Sequence, residues 1–190
     1  CNLTEVCVRQ GDTMDAICRK VRLASILGTI QASFTYFPYL RPIWKETTEK
    51  EALLGVSMTG IMDCALTNGK HPNLASRLDM FRRIAVDTNE FYAKRLGINK
   101  AAAVTAVKPS GTVSQLCDTA SGIHARYADY YIRTVRGDNK DPLTQFMIDQ
   151  GIPNEPCVMK PDQTTVFSFP MKSPQGSVTR HDMTAIEQLE

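Results

Sequence analysis

The residues best suited to chemistry are Pro109-Ser110-Gly111-Thr112-Val113. They lie between an apolar, β-branched run (Ala103-Val104-Thr105-Ala106-Val107) and a helix-compatible Ser114-Gln115-Leu116. That order reads as a strand, a tight turn and a helix start. Helix starts carry unpaired backbone N–H groups and a partial positive charge, which together suit phosphate. Gly111 has no side chain to block a ligand, and Ser110 and Thr112 add hydroxyl donors. The same residues also make a plain capped helix entry, because Ser and Thr are common N-caps. The motif alone leaves both open.

The thiols are the second set. Cys1, Cys7, Cys18, Cys64, Cys117 and Cys157 include no Cys-x-x-Cys pair, and His71, His124 and His181 do not cluster with them. That spacing argues against a zinc site. The scatter fits reduced thiols and a cytoplasmic location, with each cysteine taken singly reading as a small buried hydrophobe. Among other candidates, His124 follows the turn and reads first as a structural histidine. Arg133 and Arg136 are three apart on an expected strand, so they face opposite sides. Tyr130 and Tyr131 read as packing residues. Asp63 and Glu187 have no evident partner carboxylate, so no acid–base pair follows.

The elements that must position these groups can be read from periodicity. Residues 12–34 have helical spacing, with Asp12 or Thr13 as cap, and residues 73–96 form the clearest helix, with Gly97 placed to end it. Residues 36–44, with Pro38 and Pro42, read as loop or extended chain, and Thr48-x-x-Glu51 resembles a capping box that opens a short helix. Residues 53–59 read as a buried strand and 61–66 as helical. Strands are expected over 127–135 and 164–169. Asp141-Pro142 begins a helix that Gly151 stops, and Asp182 can cap a last one. Strands alternating with helices of crossover length predict an α/β fold with mostly parallel strands, and no internal boundary is required.

Composition sets the remaining bounds. The 190 residues are 43% hydrophobic and 22% charged, which is globular, and a net charge of +2 gives no reason to expect a nucleic-acid surface. No apolar run is long enough for a membrane span, and the mixed, charged start does not read as a signal peptide. The chain begins at Cys1 and ends within the helical pattern of residues 182–190, which predicts a piece of a longer protein.

Five strings, in order, carry a family resemblance: Cys1-Asn2-Leu3-Thr4-Glu5-Val6; Leu54-Gly55-Val56-Ser57-Met58-Thr59-Gly60-Ile61-Met62-Asp63; Lys108-Pro109-Ser110-Gly111-Thr112-Val113-Ser114-Gln115-Leu116; Ala120-Ser121-Gly122-Ile123-His124-Ala125-Arg126; and Tyr130-Tyr131-Ile132-Arg133-Thr134-Val135-Arg136. The chain resembles the C-terminal half of the catalytic barrel of ribonucleotide reductases, most of all the adenosylcobalamin-dependent class II type. The resemblance implies an α/β fold that is part of a ten-stranded α/β barrel. It also implies replacement of a ribonucleotide 2′-hydroxyl by hydrogen through thiyl-radical chemistry. It makes Pro109, Ser110, Gly111, Thr112 and Val113 the loop that grips the phosphates of a ribonucleoside di- or triphosphate. It makes Cys1 a reducing cysteine that ends in a disulfide with a distant cysteine.

The remaining thiols do not match the family's redox positions and are expected to be structural. The family's Asn-x-Cys-x-Glu motif and its C-terminal cysteine pair are not in this sequence. The implied partners are therefore the N-terminal part of a reductase and a thioredoxin-type or dithiol reductant, with adenosylcobalamin as cofactor and the isolated chain inactive. Two other readings stay open: a fragment of a metal-dependent class I large subunit, and a non-catalytic nucleotide-binding or assembly module of a split enzyme.

Overall fold

β1 (Asn2–Cys7) and β2 (Leu54–Thr59) run parallel in a computed structural model that describes residues 2–189, with Thr4 opposite Val56. On the far side of β2, residues 103–106 add a third parallel segment. Leu54 and Val56 donate to Ala103 and Val104, and Ala106 donates back to Val56. β2 is therefore paired on both edges. Its burial is nearly continuous, as expected of a central parallel strand, whereas β1 is only partly buried.

Helix α1 (Met14–Ala32) makes the crossover from β1 and packs on both strands and on α3 (Leu74–Leu96). Thr13 caps α1 by accepting from Ala16 N at 3.2 Å, and Gly97, at φ 71°, ends α3. The core between helices and sheet is built from Val6, Val8, Ile17, Val21, Leu54, Val56, Phe81, Ala85 and Val104. Ile17, Val21, Phe81 and Ala85 are positions that the 3.6-residue period marked out; the others come from the sheet. Contacts divide the chain into two compact units. The first runs to Arg126 and resumes at Pro174, and the second is Tyr127–Ser173.

Three expectations change. α2 runs Pro42–Glu51, so Thr48-x-x-Glu51 is its last turn rather than its start. Pro42 sits in the first turn, where its missing N–H is no loss, and Ala52 closes the helix at φ 43°. Asp182 does not cap the final helix α6 (Ala185–Leu189). It accepts from Thr179 N and Oγ1, each at 2.8 Å, while Thr184 and Glu187 make the reciprocal cap of α6.

The second unit is antiparallel where parallel strands were expected. β3 (Tyr130–Asp138) and β4 (Asn154–Pro156) flank β5 (Thr164–Lys172), each antiparallel to it. α5 (Pro142–Asp149), capped by Asp141 onto Leu143 N at 2.9 Å, lies between β3 and β4 in sequence. No helix among the described residues is long and apolar enough to cross a membrane.

Candidate functional site

The turn at 109–113 leaves the third parallel segment at its C-terminal end. This is the end at which α/β sheets gather their binding residues. Ser110 is buried, and its hydroxyl faces inward. It donates to Glu5 Oε2 at 3.1 Å and accepts from Ser114 N at 3.1 Å. Gly111, Thr112 and Val113 are exposed, and among the described residues no acceptor takes their N–H groups. A Cβ built on Gly111 would meet nothing within 4 Å. The short helix α4 (Val113–Leu116) follows, and the Thr112 side chain makes no capping bond to it. Three successive open N–H groups therefore stand beside the Thr112 hydroxyl at this sheet end.

Residues 119–122 brace this turn from behind. Ser121 Oγ donates to the Ser110 carbonyl. Gly122 lies at φ 55°, and a Cβ there would sit 3.1 Å from both Lys108 O and Ser110 N. Only glycine takes that backbone and that approach without strain. Gly122 N donates to Thr59 Oγ1 at 2.8 Å, and Thr59 Oγ1 donates in turn to Ala120 O at 3.0 Å.

Asp63 holds the brace in place. Its Oδ2 accepts from Ala120 N at 2.7 Å and from Arg126 Nη2 at 2.7 Å; its Oδ1 accepts from Arg126 Nε at 2.9 Å and Ser177 Oγ at 3.1 Å. Both members of this ion pair are buried, at 2% and 6% side-chain exposure. A buried carboxylate with four donors and a two-point guanidinium contact is the geometry in which a buried pair is tolerated.

Glu5 joins β1 to the turn. One of its oxygens takes the Ser110 hydroxyl, while Oε1 is buried without a hydrogen-bond partner among the described residues. Two residues on, and so on the same strand face, Cys7 Sγ donates to Cys117 Sγ at 3.0 Å, just after α4. Burial, the hydrogen bond to Cys117, its charge and that of Glu5 push the Cys7 thiol up to about 11.

Of the residues singled out from sequence, the five of the turn are contiguous at this sheet end, with the Ser110 hydroxyl engaged internally. Cys1 lies outside the described residues. His124 is exposed, with Nδ1 2.8 Å from Ser121 O. Arg133, Arg136, Tyr130 and Tyr131 lie on β3 in the second unit, where Tyr131 packs on Tyr127 at 5.9 Å between ring centroids. Glu5, Thr59, Asp63 and Arg126 were missed as a group. Only the fold brings them together, and sequence spacing carries no signal of their contact.

No family model matches the chain. An adenosylcobalamin-dependent ribonucleoside-triphosphate reductase from Euglena gracilis is 30% identical over 152 residues, which is 77% of this chain and 20% of that protein. The reductase of the same name from Lactobacillus gasseri is 29% identical over 163 residues, covering 73% of this chain and 22% of that protein. A crystal structure of a B12-dependent, class II ribonucleotide reductase superposes with a TM-score of 0.74 at 26% identity, over 94% of this chain and 28% of that one.

The chain is similar to a segment of class II ribonucleotide reductases. It spans 22% of the length of the Lactobacillus gasseri reductase and 20% of the Euglena gracilis one. Like the solved reductase it is α/β, with β1 and β2 parallel and the 103–106 segment bridged in parallel to β2. Hollows among the described residues include ones of 290, 250 and 420 Å³ in the first unit and one of 390 Å³ in the second. The 290 Å³ hollow is apolar, lined by Val21, Phe81, Ala85 and Val107 among others, with no ligating cluster.

Proposed function

We propose that this chain is the substrate-phosphate segment of an adenosylcobalamin-dependent ribonucleoside-triphosphate reductase. The observation that carries the reading is the run of unclaimed N–H groups at Gly111, Thr112 and Val113, open to solvent at the C-terminal end of parallel strands. A polyphosphate seated there accepts those three N–H groups and the Thr112 hydroxyl. Charge-assisted hydrogen bonds contribute about 1.5–3 kcal/mol each. The phosphates lie away from the carbon that reacts, so the turn's work is to orient the ribose. Ser110 serves from behind. Its hydroxyl ties the turn to Glu5 of β1 and to Ser114, which keeps the neighbouring N–H groups pointing outward.

Cys1 is proposed as one of the two reducing thiols. Two thiols give two electrons and two protons, the 2′-hydroxyl leaves as water, and a disulfide remains between Cys1 and a cysteine outside this chain. Adenosylcobalamin would supply the initiating radical when bound. A dithiol or thioredoxin-type reductant would reopen the disulfide. The relatives' names support a nucleoside triphosphate as substrate.

The test is ribonucleotide reduction with adenosylcobalamin and a dithiol, using this chain, the N-terminal part of a related reductase, and both together. Activity only in the mixture, lost with Cys1→Ser, is the expected result. An inactive mixture whose nucleotide binding still depends on Gly111 would leave a binding module and remove the catalytic role.

A further inference from the structure

Cys7 and Cys117 are 110 residues apart in sequence, yet their sulfurs lie 3.0 Å apart, inside van der Waals contact. Closing by about 1 Å more reaches the ~2.05 Å of a disulfide bond. Both residues are half-buried, so a small oxidant can reach them. Cys7 is the last residue of β1, and Cys117 caps the C-terminus of α4, the one-turn helix that follows the open N–H groups. Neither residue has a part in the reading above, and from sequence each reads as a structural thiol.

We infer that Cys7 and Cys117 form an oxidisable dithiol whose disulfide pins the 109–117 segment to the end of β1. The oxidising step is thiol–disulfide exchange with a small aliphatic disulfide as oxidant. Cys7 Sγ donates its proton toward Cys117 Sγ, which assigns the attacking thiolate to Cys117. The Cys117 thiolate attacks one sulfur of the small disulfide and expels one small thiolate, giving a mixed disulfide at Cys117. Cys7 then loses its proton and attacks Cys117 Sγ, expelling the second small thiolate. Two protein thiols are oxidised by two electrons, one small disulfide is reduced to two thiols, and no other reactant is needed.

The bond would bridge α4 to the strand that already holds Ser110 through Glu5, so the turn would be tethered at both ends. A tethered turn keeps its N–H groups preorganised, which favours ligand binding by lowering the ordering cost. That consequence for nucleotide rests on the phosphate reading of 109–113. The disulfide and the tether do not.

The experiment titrates the full chain with oxidised glutathione, traps free thiols under denaturing conditions, and maps peptides. Amide exchange of residues 109–117 is followed before and after, with no nucleotide present. The expected result is a Cys7–Cys117 disulfide, reversed by dithiothreitol, and exchange across 109–117 slowed roughly tenfold. Cys117→Ser, which keeps size and packing, should abolish both. Disulfides that join either residue to another cysteine instead, or no disulfide in the folded chain, would overturn the dithiol. A Cys7–Cys117 disulfide that leaves exchange unchanged would overturn the tether. Neither failure touches the phosphate reading, whose own test is nucleotide binding by Gly111→Val.

Discussion

Replacing Asp63 by Asn is the sharpest test of how the binding turn is held. The carboxylate is 2% exposed and is the acceptor for Ala120 N, two Arg126 nitrogens and Ser177 Oγ. Asparagine keeps one acceptor oxygen, turns the other position into a donor aimed at donors, and removes the Asp63 charge from the 6%-exposed guanidinium. Removing one member of a buried pair typically costs about 3–5 kcal/mol. For a chain of this size each kcal/mol moves the midpoint by about 2–4 °C, so Tm should fall by about 6–20 °C. Far-UV circular dichroism on heating and in urea measures this, and amide exchange over 108–122 should rise before the global transition. A double change of Asp63→Leu with Arg126→Met should recover part of the loss, because no charge is then left stranded. A Tm drop under about 2 °C, or a double variant less stable than Asp63→Asn, would refute the argument that this ion pair braces the turn.

Gly111→Val should change Tm little, because a Cβ there meets nothing within 4 Å, yet weaken nucleoside triphosphate binding in the reconstituted enzyme by about tenfold or more, read by equilibrium dialysis. Gly122→Ala should do the reverse at first hand, destabilising the fold by about 1–3 kcal/mol through its positive φ and its 3.1 Å approach to Ser110 N, as measured by urea titration. The Cys7 thiol is raised from 9.0 to about 11 in the fold. Its contribution to stability should therefore be complete below pH 9 and lost as pH rises toward 11, a slope that Cys7→Ser should remove from the pH–Tm profile. Glu187 has its carboxyl held below 4.5 by Thr184 N and Oγ1, so the α6 cap should persist above that pH and fray as pH falls below it, seen by exchange at residues 184–189.

Local features were legible and distant ones were not. α1 and α3 follow from apolar spacing, and Thr13 and Gly97 act as start and stop signals because capping depends only on the nearest turn. The strand–turn–helix around Gly111 was readable for the same reason. Pro42 carried the signal for the start of α2, through its preference for a first helical turn, but the Thr48-x-x-Glu51 pattern outweighed it. Alternation in residues 164–169 marks a strand without saying which way its neighbour runs, so the antiparallel β3–β5–β4 order was out of reach. Asp63 with Arg126, Glu5 with Ser110, and Cys7 with Cys117 join residues 63 to 110 positions apart. Such pairs are set by tertiary packing, and a single sequence holds no local trace of them.

The first unit is interrupted in sequence, since Tyr127–Ser173 is inserted between Arg126 and Pro174. Val178 donates to Met62 O and accepts from Arg126 N, and Ser177 reaches Asp63. The brace behind the turn is thus completed by residues that follow the inserted unit in sequence. Closing so long a loop is entropically slow, and non-local contacts of this kind fold late. A nascent chain arrested before residue 177 should hold α1 and α3 but leave the 109–113 turn unanchored, so its final geometry would arrive abruptly once the residues beyond the insertion are made rather than growing along with it.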